Sequence, residues 1–287
     1  MYAEFDNILK DVLEAEESSI DFDSLFKPLS PEEVAVRWLR RDGCTKNPDG
    51  SYSCEGDVDL SGLGLTKFPV RFKRVEGNFD CSDNKLTTLE GAPEFVGGDF
   101  WCNHNKLTTL KGAPEVVGKF FNCSHNDLIS LEGSPKQVGR GFICSFNRLR
   151  TLSGCSEVIG LGFDCSHNDL ISLEGCPRRI GSDFNCSDNK LKSLNGSPEY
   201  VEGDFWCNHN ELTTLKGAPE IVKGNFWCNK NKLKSLKGAP KYVYGSFLCQ
   251  NNELITLKGI GYVGRKIFCK GNPVPEDELL RTIYGED

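Results

Sequence analysis

Apolar and polar positions in this chain recur every 21 residues from about residue 58 to residue 272. Cysteine stands at Cys81, Cys102, Cys123, Cys144, Cys165, Cys186, Cys207, Cys228 and Cys249, and again at Cys269 after the loss of one residue. Asparagine follows each three positions later, from Asn84 to Asn252 and then at Asn272. Leucine holds two further columns, Leu86 and Leu89 in one unit and Leu254 and Leu257 in the last. Glycine (Gly91 to Gly259), proline (Pro93, Pro114, Pro135, Pro177, Pro198, Pro219, Pro240), Val or Ile (Val96 to Val243) and Phe (Phe100 to Phe247) complete the unit. It reads F-x-C-x-x-N-x-L-x-x-L-x-G-x-P-x-x-V-x-x-x. An opening unit at 58–68 places Leu60 21 residues before Cys81, which makes eleven units. A period of this length marks stacked repeats.

Each column has a physical role. Phe and Cys alternate with polar residues, the period of a short strand with one buried face. Leu, Leu and Val add to a core too thin for one unit, which stacked neighbours bury together. The Asn column predicts a ladder in which each side chain bonds backbone at the bend where the strand ends. Prolines in register leave little room for helix on the return path. Strands ~4.8 Å apart would make a curved rod roughly 50 Å along its inner edge.

The flanks differ. Phe5, Ile8, Leu9, Val12 and Leu13 recur at helical spacing among acids, which predicts an amphipathic helix with an acidic outer face. With its linker it forms an expected unit at 1–29, a candidate for self-association or partner binding. Ser30-Pro31-Glu32-Glu33 is a capping box that starts a second helix through Arg41. Val34, Trp38 and Leu39 would close the open end of the stack, so 30–57 is expected to be a cap with a hairpin. The stretch 273–287 reads as a C-terminal cap helix closed by Leu279, Leu280 and Ile283.

The repeat resembles the leucine-rich repeat, with F-x-C-x-x-N-x-L standing where that family has L-x-L-x-x-N-x-L. It is similar to the short repeats of secreted bacterial effectors and to repeat proteins of bacteria and tailed phages. Asn47-Pro48-Asp49-Gly50 and Gly56-Asp57-Val58-Asp59-Leu60-Ser61 look like the lead-in of the phage type. The likeness covers about three quarters of the chain. It implies an α+β leucine-rich-repeat solenoid of about eleven units at 58–272, with a parallel concave sheet, an irregular convex side, a helical N-terminal head and a short C-terminal cap helix. It also implies a binding scaffold, not a particular activity.

Charge and composition narrow this further. The net charge of −7 argues against binding a nucleic-acid backbone. Residues 1–57 hold 14 acidic and six basic side chains, so the acid is concentrated in the head. No apolar run approaches the ~20 residues of a membrane span, and the acidic start lacks a secretory signal. The 14 cysteines include no pair two to four residues apart, as zinc sites need, so most read as buried filler and a reducing cytoplasm is expected. Cys44 and Cys54 flank the Asn47–Gly50 turn and would face each other across a hairpin there, with two free thiols expected in preference to a disulfide. No metal or cofactor is expected.

A partner would sit on the concave face. Between Phe and Cys stand Trp101, Ile143, Asp164, Trp206, Trp227 and Leu248; two after Cys stand His104, His125, Phe146 and His209; before Phe stand Phe120 and Asp204. Outward aromatics on a rigid face suit contact, because Trp and Tyr dominate binding energy. These residues predict two apolar patches separated by an acidic stretch at Asp164, Asp183 and Asp188. A metal between His104 and His125 lacks a third ligand, and an open curved sheet offers acid–base chemistry no enclosed pocket. The expected function is non-enzymatic docking of a folded protein, and the resemblance suggests a phage or bacterial inhibitor of a host or defence enzyme. Two alternatives are an acidic decoy formed by residues 1–25, mimicking nucleic acid or filling a basic groove, and a secreted bacterial effector.

Overall fold

The computed structural model describes residues 30, 33, 34, 36, 39, 43–276 and 278. The expected first helix, Trp38, and the Leu279, Leu280 and Ile283 cap contacts lie outside them. Within them the chain winds as a solenoid whose inner strands form one parallel sheet of eleven, from Val58–Asp59 to Ile267–Phe268. Consecutive units pair in strict register, Phe100 opposite Phe121 and Trp101 opposite Asn122. Each inner strand is only two residues long, Phe and its outward neighbour in all but the first (Val58–Asp59) and last (Ile267–Phe268), because the Asn bend begins just beyond Cys.

The Phe column forms the core. Phe79 and Phe100 stack with centroids 5.5 Å apart, as do Phe100 and Phe121. At Phe142–Phe163 the geometry turns edge-to-face, with the rings at 84°. Leu, Cys and Val columns fill the space around these rings and are almost wholly buried from Val58 to Leu257. This is the continuous interior that no single unit could bury.

The ladder of asparagines is complete. In each unit the Nδ2 donates to carbonyls of its own and the preceding turn, as Asn105 does to Cys102 (3.2 Å) and Cys81 (2.9 Å). The Oδ1 accepts from the amide of a Leu in the preceding turn, Leu86 in this case. Every hydrogen-bonding atom of a buried amide is thereby used, which removes the cost of burying it.

Two expectations change. The return side is not irregular: its Val column forms a second set of short parallel strands. These fall in a seven-stranded sheet ending at Val158–Ile159 and a five-stranded sheet from Arg179–Ile180 to Tyr262–Val263. Most of these strands are marked by a single buried Val or Ile, without the Phe-x-Cys alternation of the inner column, so the sequence pattern hides them. The second correction concerns Cys44 and Cys54, which form a disulfide rather than two free thiols. Strand β1 (Cys44–Lys46) and strand β2 (Tyr52–Cys54) form the expected hairpin, in a register that sets Cys44 opposite Cys54. The turn is held by Asp49, whose Oδ1 accepts from the Ser51 amide at 3.0 Å. β2 then joins the outer sheet beside Phe72–Val75.

At the ends, Ser30 and Glu33 bond reciprocally, Ser30 N to Glu33 Oε2 at 2.8 Å and Glu33 N to Ser30 Oγ at 3.2 Å. Leu39 is buried with the core. Glu278 Oε1 accepts from the Thr256 hydroxyl and the Leu257 amide, which ties the chain beyond the last turn back to it. Among the described residues no helix is long and apolar enough to cross a membrane.

Candidate functional site

The inner sheet presents three columns to the concave side. The first is the residue between Phe and Cys. Trp101, Trp206 and Trp227 are half-buried and lie outside the core, as their alternation with Phe and Cys requires. Trp206 and Trp227 are direct cross-strand partners. Leu248, expected to extend that patch, is buried between its cross-strand partners Trp227 and Phe268. Where this column holds Asp or Asn, the side chain folds back onto the amide two residues on; Asp164 Oδ1 accepts from Ser166 at 3.0 Å.

The Trp227 patch holds unpaired polar atoms. The indole Nε1 of Trp227 and the side-chain oxygens of Asn229 and Gln250 are buried, and none has a hydrogen-bond partner among the described residues. Asn229 shares the face of Trp227, two residues on, and Gln250 occupies the equivalent place in the next turn. Buried groups of this kind cost about 1–3 kcal/mol each when unmatched.

The second column precedes Phe, and it is a ladder of its own. Asn78 accepts from the Asp99 amide, Asp99 from Phe120, Asp183 from Asp204, Asp204 from Asn225, and Asn225 from Ser246, at 2.7 to 2.9 Å. The ladder breaks at Phe120, Gly141 and Gly162. There the missing side chains open a depression of about 210 Å3, lined by Phe120, Gly141, Ile143, Gly162, Asp164, Asp183, Asn185 and Trp206 among others. The structure therefore joins Phe120, Ile143, Asp164 and Trp206 around one hollow, where two separate patches are expected from sequence. Gly141, Gly162 and Asn185 escaped the sequence reading, although the loss of Asp or Asn from that column was visible.

The third column, two after Cys, lies past the end of the strand. All nine of its residues from Asp83 to Asn251 have positive φ, between 50° and 55°. That left-handed bend costs a non-glycine residue roughly 1 kcal/mol. It also aligns the side chains of successive turns. His104, His125, Phe146 and His167 form an unbroken pile of four rings with centroids 4.2 to 4.3 Å apart and planes within 11°. Desolvation, and then His104 and His167, hold His125 below the usual imidazole range. Asp188 continues the column, 3.8 Å from His167 Nε2 and 3.6 Å from His209 Nδ1. Because His104 and His125 lie face to face, their in-plane lone pairs run side by side instead of converging on one ion. No cluster of three metal-ligating side chains exists among the described residues.

The interior thiols have no evident chemistry. Burial pushes Cys81, Cys123, Cys144 and Cys165 well above the usual thiol range, and Cys155 to about 12. A thiol held protonated is a poor nucleophile and a poor metal ligand.

No family model matches the chain, and no curated protein matches it. Among solved structures, YopM from Yersinia enterocolitica WA-314 is similar with a TM-score of 0.38 and 16% identity, over 88% of this chain and 71% of that one. YopM of Yersinia pestis, described as a leucine-rich effector protein, is similar with a TM-score of 0.37 and 15% identity, over 86% of this chain and 90% of that one. The solenoid character rests on the chain's own geometry: the parallel inner sheet, the Leu columns and the Asn ladder.

Proposed function

We propose that this protein is a non-enzymatic docking module that holds a folded protein partner against its concave face, and that it acts in the cytoplasm to block that partner. The observation that carries the reading is the cross-strand pair Trp206–Trp227, half-buried and outside the core on the inner sheet. A protein surface supplies apolar cover for the half-buried indole faces, which is how interface hot spots are built. Phe120 and Ile143 extend the contact across the hollow, and Asp164, Asp204 and the His104–His167 pile rim it.

A rigid solenoid presents such a surface without paying to order it on binding. The resemblance to bacterial and phage repeat proteins supports an inhibitor of a host or defence enzyme as the role. The test is the variant Trp101→Ala/Trp206→Ala/Trp227→Ala, purified beside the parent from producing cells. The reading expects loss of the co-purifying partner with an unchanged melting temperature. Undiminished capture by the variant, with capture lost instead on removing residues 1–25, would assign binding to the acidic head.

A further inference from the structure

The hollow at Gly141 and Gly162 is a built feature, because the fold does not require either glycine. Neither has the positive φ that excludes side chains. A Cβ on Gly162 would meet only the Asp183 carbonyl oxygen, at an ordinary 3.6 Å. A Cβ on Gly141 would stand 2.6 Å from the Phe120 ring, so that glycine lets the ring lie down across it. Other turns place Asp or Asn in this column and gain a backbone hydrogen bond. These two turns forgo that bond and open space.

The lining has a definite chemistry. Along the stack Phe120 stands at one end of the lining and Trp206 at the other, with Ile143, Asp164 and Asp183 in the turns between. Each carboxylate spends Oδ1 on a backbone amide, Asp164 on Ser166 and Asp183 on Asp204. Neither has an ion pair among the described residues. The hollow is smaller than the ~300–1,000 Å3 of typical small-molecule pockets, and it suits one side chain. Acids flanked by aromatic faces favour a cation, through charge pairing and through attraction to a ring within about 6 Å.

We infer that this hollow receives one cationic side chain, arginine or lysine, presented by the protein partner. The inference rests on the concave-docking reading and adds a specificity subsite to it.

The test uses the full chain and Nα-acetyl-arginine amide, with Nα-acetyl-citrulline amide as the uncharged isostere, followed by amide and indole NMR signals. The arginine probe should shift Gly141, Gly162, Asn185 and the Trp206 indole saturably, and the citrulline probe should not. Asp164→Asn/Asp183→Asn should weaken binding at least tenfold. It should still fold, because Asn185 and Asn225 already make the same backbone bonds at equivalent places. Gly162→Leu should fill the hollow and abolish the shifts. Equal shifts from both probes, or arginine shifts that never saturate, would overturn the inference. No partner enters this titration, so its failure is distinct from failure of the tryptophan variant to lose its partner.

Discussion

Asn147 reaches out of its own turn to the carbonyl oxygen of Cys123 in the turn before, 3.1 Å away. It also bonds the carbonyls of Cys144 and Ser145, and accepts from the Leu128 amide at 3.0 Å. The same side chain thus closes one turn and fastens it to the next. Replacing it strands several buried backbone groups at once, each worth about 1–3 kcal/mol. Asn147→Ala should lower stability by at least about 3 kcal/mol by urea denaturation, whereas Arg148→Ala, which removes an exposed pair with Asp127, should cost less than about 1 kcal/mol.

The pile of rings at His104, His125, Phe146 and His167 makes stability depend on pH. His125 titrates below its ordinary 6.5 in the folded protein. Between that lowered value and 6.5 the unfolded chain binds more protons, so stability falls as pH is lowered through this window and levels off beneath it. His125→Phe keeps a ring in the pile and removes the titration; Phe146 already occupies the same bend at φ 55°. Melting temperatures measured from pH 8 to pH 5 should fall less in His125→Phe than in the parent. Parallel curves would contradict this.

Lys230 occupies the same left-handed bend with no ring contact to reward it. Lys230→Gly should therefore stabilise the protein, by up to about 1 kcal/mol, since glycine carries no Cβ penalty there. The same change at exposed Lys232, where φ is not positive, should be neutral or destabilising. Chemical denaturation of the two variants decides it.

The Cys44–Cys54 bridge pins the hairpin that opens the outer sheet. Bridges closing short loops are typically worth about 2–4 kcal/mol. Reduction should lower the melting temperature and release two titratable thiols, while the buried interior thiols stay unreactive to an alkylating reagent until the solenoid unfolds. Cys155, Cys176 and Cys269 are only partly buried and can also label, so fast labelling of more than five thiols on native reduced protein would contradict the burial of the Cys column.

What could be read from sequence follows the physics of each column. Phe, Cys, Leu and Asn were legible because each does one job in every turn, and repetition multiplies the signal. The outer strands were not, since two residues such as Tyr200–Val201 carry no alternation. The disulfide ranked below two free thiols because cysteine at ten equivalent places is filler, and the hairpin register that sets Cys44 directly opposite Cys54 is a feature of the folded chain. Leu248 kept the outward pattern of Trp227 yet is buried between the larger Trp227 and Phe268 on the neighbouring strands, which one unit cannot reveal. The hollow depends on the absence of side chains at Gly141 and Gly162, and an absence becomes a shape only when the neighbouring Phe120 and Asp183 are in place.

The most direct measurement of the docking account is site-specific photo-crosslinking in producing cells, with benzoylphenylalanine in place of Ile143 on the concave face or Ile129 on an exposed turn away from it. The account predicts one discrete protein adduct from position 143 and none from position 129. An adduct from position 129 with none from 143 would show that the partner binds elsewhere and that the concave aromatics are not its contact surface.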